Sequence, residues 1–172
     1  MTNSEPDLLI RFADSTDLLS IVEIYNQAIR SKRATADLDE YSLTNRVEWF
    51  ESFDREKYPL YIIEYKGDVV GYCSLSPYRK GRRAMSTVAE VSYYLDYSYH
   101  GKNIGSSLLQ YVISDCKRIG INTLLAILLD INNTSVGLLE KFNFEKWGYF
   151  PNIADIEGVK CGQFVYGLKV GE

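Results

Sequence analysis

Between a strand-like stretch, Thr87 to Leu95, and a helix-like one opening near Ile104 runs Tyr99-His100-Gly101-Lys102-Asn103-Ile104-Gly105. No other segment limits the folding of this chain as much. The helix places its apolar residues at Ile104, Leu108, Leu109, Val112, Ile113 and Cys116, a helical spacing. A chain that leaves a strand through two glycines and enters a helix exposes the unpaired N–H groups of the first turn. Those donors, together with the positive end of the helix dipole, suit a phosphate. Gly101 and Gly105 carry no Cβ to hold a pyrophosphate off the backbone, and Asn103 accepts a positive φ more readily than most residues. Spacing alone does not separate such a cradle from an ordinary turn. The segment lacks the Gly-x-x-x-x-Gly-Lys-Ser/Thr of a P-loop. It also lacks the third glycine and the early chain position of a dinucleotide fingerprint.

Composition removes several function classes. The chain has 172 residues, 46% of them hydrophobic, enough for one buried core, and is expected to form a single domain over 1–172. A net charge of −4, with both signs interspersed, argues against a nucleic-acid partner. Cys73, Cys116 and Cys161 are far apart and odd in number, which suits buried thiols in a reducing, cytoplasmic setting. No apolar run is long enough to span a bilayer, so no membrane partner is expected. With one histidine, His100, and no clustered ligands, no bound metal is expected. The same count excludes a Ser-His-Asp or Cys-His mechanism unless His100 itself serves.

Leu8 to Phe12 reads as a strand, followed by a helix with Asp14 as N-cap and an apolar face of Leu18, Ile21, Ile24, Tyr25 and Ala28. A polar loop, Ser31 to Tyr41, leads to a second helix carrying Val47, Trp49, Phe50 and Phe53. Leu60 to Tyr65 and Val69 to Leu75 form a hairpin through Lys66-Gly67-Asp68. A basic turn, Arg79 to Arg83, precedes the strand from Thr87. The third helix is expected to end at Lys117-Arg118 with Gly120 beyond it, before a buried strand from Thr123 to Leu129. Asn132-Asn133-Thr134-Ser135 caps a fourth helix that runs to Phe142 and stops at Asn143; strands Glu145 to Phe150 and Gln163 to Val170 complete the sheet.

At this point the residues resemble a family, the Gcn5-related N-acetyltransferases. The glycine segment His100 to Gly105 is similar to their acetyl-CoA loop. Asn132-x-x-Ser135, with Phe142-Asn143-Phe144, is similar to their second signature. Glu23-Ile24-Tyr25-Asn26, Ala34-Thr35, Arg46 with Trp49-Phe50, and Arg83-Ala84 leading to Thr87 through Ser92 resemble the phosphinothricin acetyltransferase-like group. The resemblance implies an α/β fold with a mixed, mostly antiparallel sheet, splayed central strands and flanking helices. It also implies acetyl-CoA as co-substrate, a small-molecule amine acceptor, and room for a homodimer. On that reading Tyr93, Tyr94 and Leu95 offer backbone groups to the pantetheine arm. The amides of Gly101, Lys102, Asn103, Ile104, Gly105 and Ser106 hold the pyrophosphate, His100 belongs to the same cofactor-binding loop, and Asn132 contacts the cofactor farther along. The chain departs from the pattern at Leu139, where many relatives carry a tyrosine proton donor. It departs again at Ala36 and Met85, where the subgroup often lines its acceptor pocket with Phe and Tyr.

Acetyl transfer to an amine needs the reactants oriented, the ammonium proton accepted and the thioester carbonyl polarised. Strand alternation puts Glu90 on one face with Val88, Ser92 and Tyr94, a carboxylate among largely apolar neighbours and a candidate general base. Two other readings of Glu90 stay open, an ion pair with Arg82 or Arg83, and a solvent-facing carboxylate. Arg82 and Arg83 are the candidates for clamping an acceptor carboxylate, since guanidinium forks bind it bidentately. The acceptor expected is amino-acid-like, of the phosphinothricin or methionine sulfoximine type. The alternatives are a peptide or protein amine, or a non-catalytic acyl-CoA-binding sensor.

Overall fold

The computed structural model describes residues 7–171. Seven strands form one sheet: β1 (Leu8–Phe12), β2 (Leu60–Tyr65), β3 (Asp68–Pro77), β4 (Val88–Leu95), β5 (Thr123–Leu129), β6 (Glu145–Ile156) and β7 (Val159–Lys169). Their order across the sheet is β1-β2-β3-β4-β5-β7-β6, antiparallel at every junction but β4–β5. Four helices flank it: α1 (Leu18–Arg30), α2 (Leu43–Glu51), α3 (Ile104–Asp115) and α4 (Asn133–Lys141). The expected mixed, mostly antiparallel sheet with flanking helices is what forms.

Local chemistry sets the joints. Lys66 and Gly67 both take positive φ, 52° and 87°, in the two-residue turn between β2 and β3, the geometry whose twist matches a hairpin. Asp14 caps a short 3-10 turn, Ser15–Asp17, that leads into α1, with its side chain accepting from the Thr16 amide. Asp17 is buried, at 3% exposure, because the Arg11 guanidinium donates two bonds to it at 2.7 and 2.8 Å.

Helices lie on both faces of the sheet. One core, with Leu108, Leu109 and Val112 of α3, Leu139 of α4, and Tyr61, Cys73 and Val91 of the sheet, is shared by α3 and α4. The other joins Ile21, Ile24, Tyr25 and Ile29 of α1 to Ile62 and Tyr72, with Trp49, Phe50 and Phe53 packed against it. Val47, expected on that apolar face, is instead 40% exposed. All three cysteines are free and buried, and no helix among the described residues is long and apolar enough to cross a membrane.

Several boundaries differ from expectation, among them the end of α2 at Glu51, which leaves Phe53 outside the helix expected to carry it. The third helix ends at Asp115 and not at Lys117-Arg118, because the chain tightens there: the Cys116 amide bonds Ile113 O and the Ile121 amide returns to Cys116 O, with Gly120 at φ 66°. The last two strands are each longer than read. Pro151 has no N–H, and the β6–β7 register breaks between Phe150 and Ala154, then resumes to a tight turn at Glu157-Gly158. The bulge resembles a strand end in the sequence, while the ladder continues past it.

Candidate active site

The parallel junction is short. β4 and β5 are joined at three positions, Val88 to Thr123, Ala89 to Leu124 and Glu90 to Leu125. Beyond Glu90, β4 follows β3 to Leu95, while β5 follows β7 to Leu129. A cleft opens between them, walled by residues 91–94 of β4, 126–128 of β5, and Asn132, Ser135 and Leu139 at the start and middle of the fourth helix. Along this cleft the facing N–H and C=O groups of both strands have no strand partner. Unpaired strand edges suit an extended ligand that carries amides of its own, and the open end lies at the carboxyl ends of both strands, the usual ligand position in such sheets.

Glu90 stands at the vertex, the last residue of β4 paired to β5. Its side chain is partly buried, and burial pushes its carboxyl above the usual carboxylate range. No cation offsets that cost, and Arg82 and Arg83 are exposed on the turn before β4. The ion-pair reading of Glu90 therefore has no counterpart in the structure. Ser92 and Tyr94 share its face. Tyr94 meets the Tyr25 ring edge-on at 4.9 Å and lies 5.5 Å from the Tyr72 ring, and burial pushes its phenol up to about 12.

The segment 31–42 packs against the same face of the sheet, on the side of α1. The Asn26 side chain bonds the Tyr41 amide and carbonyl, both at 2.9 Å, and Tyr25 Oη reaches Thr35 Oγ1 at 2.9 Å and the Asp37 carboxylate. Ala34 then lines the cleft. Ala36 and Met85 are both exposed, and neither lines the cleft.

At the mouth of the cleft the glycine segment turns sharply into α3 and leaves a run of amides unpaired. Gly101 has φ 76° and Asn103 has φ 64° at the N-cap of α3, where its side chain makes no capping bond. The His100 amide is spent on Tyr97 O and the Ser107 amide on Asn103 O, but those of residues 101–106 bond nothing within the chain. Gly105 serves a second purpose, since a Cβ there would lie 3.1 Å from Leu95 Cδ1 and 3.4 Å from Leu138 Cδ2. The His100 ring is engaged within the chain. It stacks on Tyr97 and its Nε2 lies 3.2 Å from Leu95 O, tying the loop to the end of β4.

Asn132, in the cleft lining, caps α4 through its side-chain oxygen, which accepts from the Ser135 amide at 3.2 Å, while its side-chain nitrogen bonds no group among the described residues. One polar residue of the mouth escaped the sequence reading. Lys141 extends from the last turn of α4 to Asn103 Oδ1 at 3.1 Å and Ser106 Oγ at 2.9 Å. Its charge sits beside the positive end of α3 with no carboxylate partner. Nothing in the spacing of residues 103 and 141 signals this meeting; it arises from the packing of α4 against α3.

A slot between splayed parallel strands, a carboxylate at its vertex and a ring of free amides at its mouth suit a thioester on a long diphosphate carrier. Comparison with known proteins agrees. The sequence profile of the acetyltransferase (GNAT) family matches residues 19–144. This chain belongs to that family. Among its relatives, YwnH of Bacillus subtilis (strain 168) is 38% identical over 95% of this chain and 96% of its own. The L-methionine sulfoximine/L-methionine sulfone acetyltransferase of Salmonella typhimurium is 31% identical over 92% of this chain and 90% of its own. The crystal structure of a GNAT superfamily phosphinothricin acetyltransferase from Sinorhizobium meliloti, in complex with acetyl-CoA, superposes with a TM-score of 0.89. It is 26% identical and covers 97% of this chain and 90% of that one. The protein is thus an acetyl-CoA-dependent acetyltransferase of the GNAT fold.

Proposed function

We propose that this enzyme acetylates the primary amine of a small amino-acid-like acceptor, of the phosphinothricin or methionine sulfoximine type. The observation that carries the chemistry is Glu90, a carboxylate without a cation at the vertex of the splay, whose carboxyl burial pushes above the usual range, the direction a general base needs. The acceptor class rests on the relatives' substrates. In this reading the acetyl donor lies along the cleft, its amides against the free backbone of Tyr93, Tyr94 and Leu95. The amides from Gly101 through Ser106 hold its diphosphate, Lys102 and Lys141 add positive charge there, His100 fixes the loop, and Asn132 donates from the start of α4. The acceptor enters on the Glu90, Ser92 and Tyr94 face. Its amine loses a proton to Glu90, directly or through one water, and attacks the thioester carbonyl; the C–S bond then breaks. Arg82 and Arg83, both exposed and without an ion-pair partner among the described residues, are our candidates to bind the acceptor's carboxylate.

Thiol release from acetyl-CoA, followed with a thiol-reactive dye across a panel of free amino acids, their amides, phosphinothricin and methionine sulfoximine, tests the proposal. Free acids are expected to outperform amides. Equal use of amides or peptide amines would overturn the carboxylate clamp, and no release with any amine would overturn the catalytic reading. We also place the enzyme in the cytoplasm, where its three buried thiols stay reduced, and as a homodimer. The outer strand β6 supports the dimer, since Trp147, Tyr149, Phe150 and Ile153 are each 45–56% exposed along that sheet edge.

A further inference from the structure

The departing sulfur carries charge as the C–S bond breaks, and Leu139, at 0% exposure in the cleft wall, has nothing to offer it. The residues of the cleft lining that carry hydroxyls are Ser92, Tyr93, Tyr94 and Ser135. Alternation along β4 divides them. Ser92 and Tyr94 share the face of Glu90, from which the amine approaches. Tyr93 points to the opposite face, into the core shared with α3 and α4. There its Oη lies 2.6 Å from Ser135 Oγ, which is one helical turn before Leu139 on the same wall. A donor on this side leaves the amine's approach clear.

We propose that the Tyr93 hydroxyl, paired with Ser135, donates a hydrogen bond to the thioester sulfur and stabilises the thiolate as it leaves. This rests on the acetyltransferase reading above. The pairing serves the proposal in a specific way. With Ser135 Oγ–H donating to Tyr93 Oη, the phenolic O–H is released to point into the cleft, and each hydroxyl polarises the next. Burial holds the Tyr93 phenol neutral, so it keeps its proton and remains a donor throughout the pH range of turnover. The bookkeeping of the step is closed: the C–S electron pair goes to sulfur, which accepts the hydrogen bond, and the coenzyme leaves as thiolate and takes a proton from water outside the cleft. Such a donor in a water-poor site acts as one arm of an oxyanion hole does, only on the leaving group.

The test compares Tyr93→Phe and Ser135→Ala with the unmodified enzyme on acetyl-CoA and on two truncated donors, the acetyl thioesters of N-acetylcysteamine and of thiophenol. Tyr93→Phe is expected to lower kcat on acetyl-CoA by about 10²-fold, the size of a lost preorganised donor, with KM for acetyl-CoA little changed. The same loss should appear with N-acetylcysteamine, whose thiolate is basic, and shrink markedly with thiophenol, which leaves easily without help. Ser135→Ala should give a smaller loss with the same leaving-group dependence, and it provides the answer if Tyr93→Phe does not fold. Unchanged kcat on acetyl-CoA, or a loss equal for both truncated donors, would overturn the proposal and leave the acetyltransferase reading standing. An unmodified enzyme inactive on every amine would overturn both.

Discussion

Replacing the Glu90 carboxylate by an amide keeps its shape and removes its basicity. Glu90→Gln is expected to lower kcat by roughly 10²–10⁴-fold with acetyl-CoA affinity nearly intact, measured by steady-state turnover beside a binding titration. The same residue gives a stability test with a fixed sign. A carboxyl whose folded-state pKa is raised holds its proton longer folded than unfolded, so stability falls as pH rises from the unfolded value of 4.5 through the raised folded one. Glu90→Gln should therefore melt at or above the unmodified enzyme at neutral pH. That gain should vanish toward about pH 4, where both side chains are uncharged. A residue held by an ion pair would do the reverse. The acceptor clamp is argued at this scale too. Loss of a charge-assisted bidentate contact costs about 1.5–3 kcal/mol, at least about tenfold in kcat/KM. Alanine at the responsible one of Arg82 and Arg83 should erase the preference for free acids over amides by harming the acid alone.

The element that carries the donor's diphosphate is the N-terminus of α3 with the loop before it. Gly105→Glu should abolish the rise in melting temperature that acetyl-CoA produces by mass action. The new side chain puts negative charge among the free amides, and its Cβ already crowds Leu95 and Leu138. Lys141→Ala should raise KM for acetyl-CoA by only about two- to fivefold, the size of an exposed charge contact. The effect should fade with added salt and be absent for the N-acetylcysteamine thioester, which has no phosphate. Much of this element is legible in the sequence, because glycine and asparagine at left-handed positions are local requirements that single residues announce. Lys141, the Tyr93–Ser135 pair and the Asn26 clamp on Tyr41 are not legible. Each joins residues whose proximity depends on how elements pack, and no periodicity encodes that.

Across the whole molecule, the order and type of every main element follow from hydrophobic periodicity and turn residues, while the extent of β6 and β7 does not. Pro151 and Asn152, at φ 51°, are loop residues by any local rule, yet the β7 ladder holds β6 together around them. The resulting long outer strand is the basis of the dimer proposal. Light scattering on the eluting protein should give twice the monomer mass, and Ile153→Lys, which puts a charge in the middle of the exposed strip, should halve it. The three-residue junction of β4 and β5 has a consequence of another kind. Three ladder positions, Val88, Ala89 and Glu90, with the Thr87 carbonyl just before them accepting from the Asn122 and Thr123 amides, stitch β1 through β4 to β5, β7 and β6, so the sheet is two panels sharing a short seam. A bound pantetheine arm continues that seam in a different polymer. Amide hydrogens on the cleft edges, within 91–95 and 126–129, should exchange freely without the donor and slow together when it binds. The two cleft edges would then open as one. Coenzyme departure after each turnover is, in that light, the ripping of half a seam, and its rate would set how fast the enzyme can begin again.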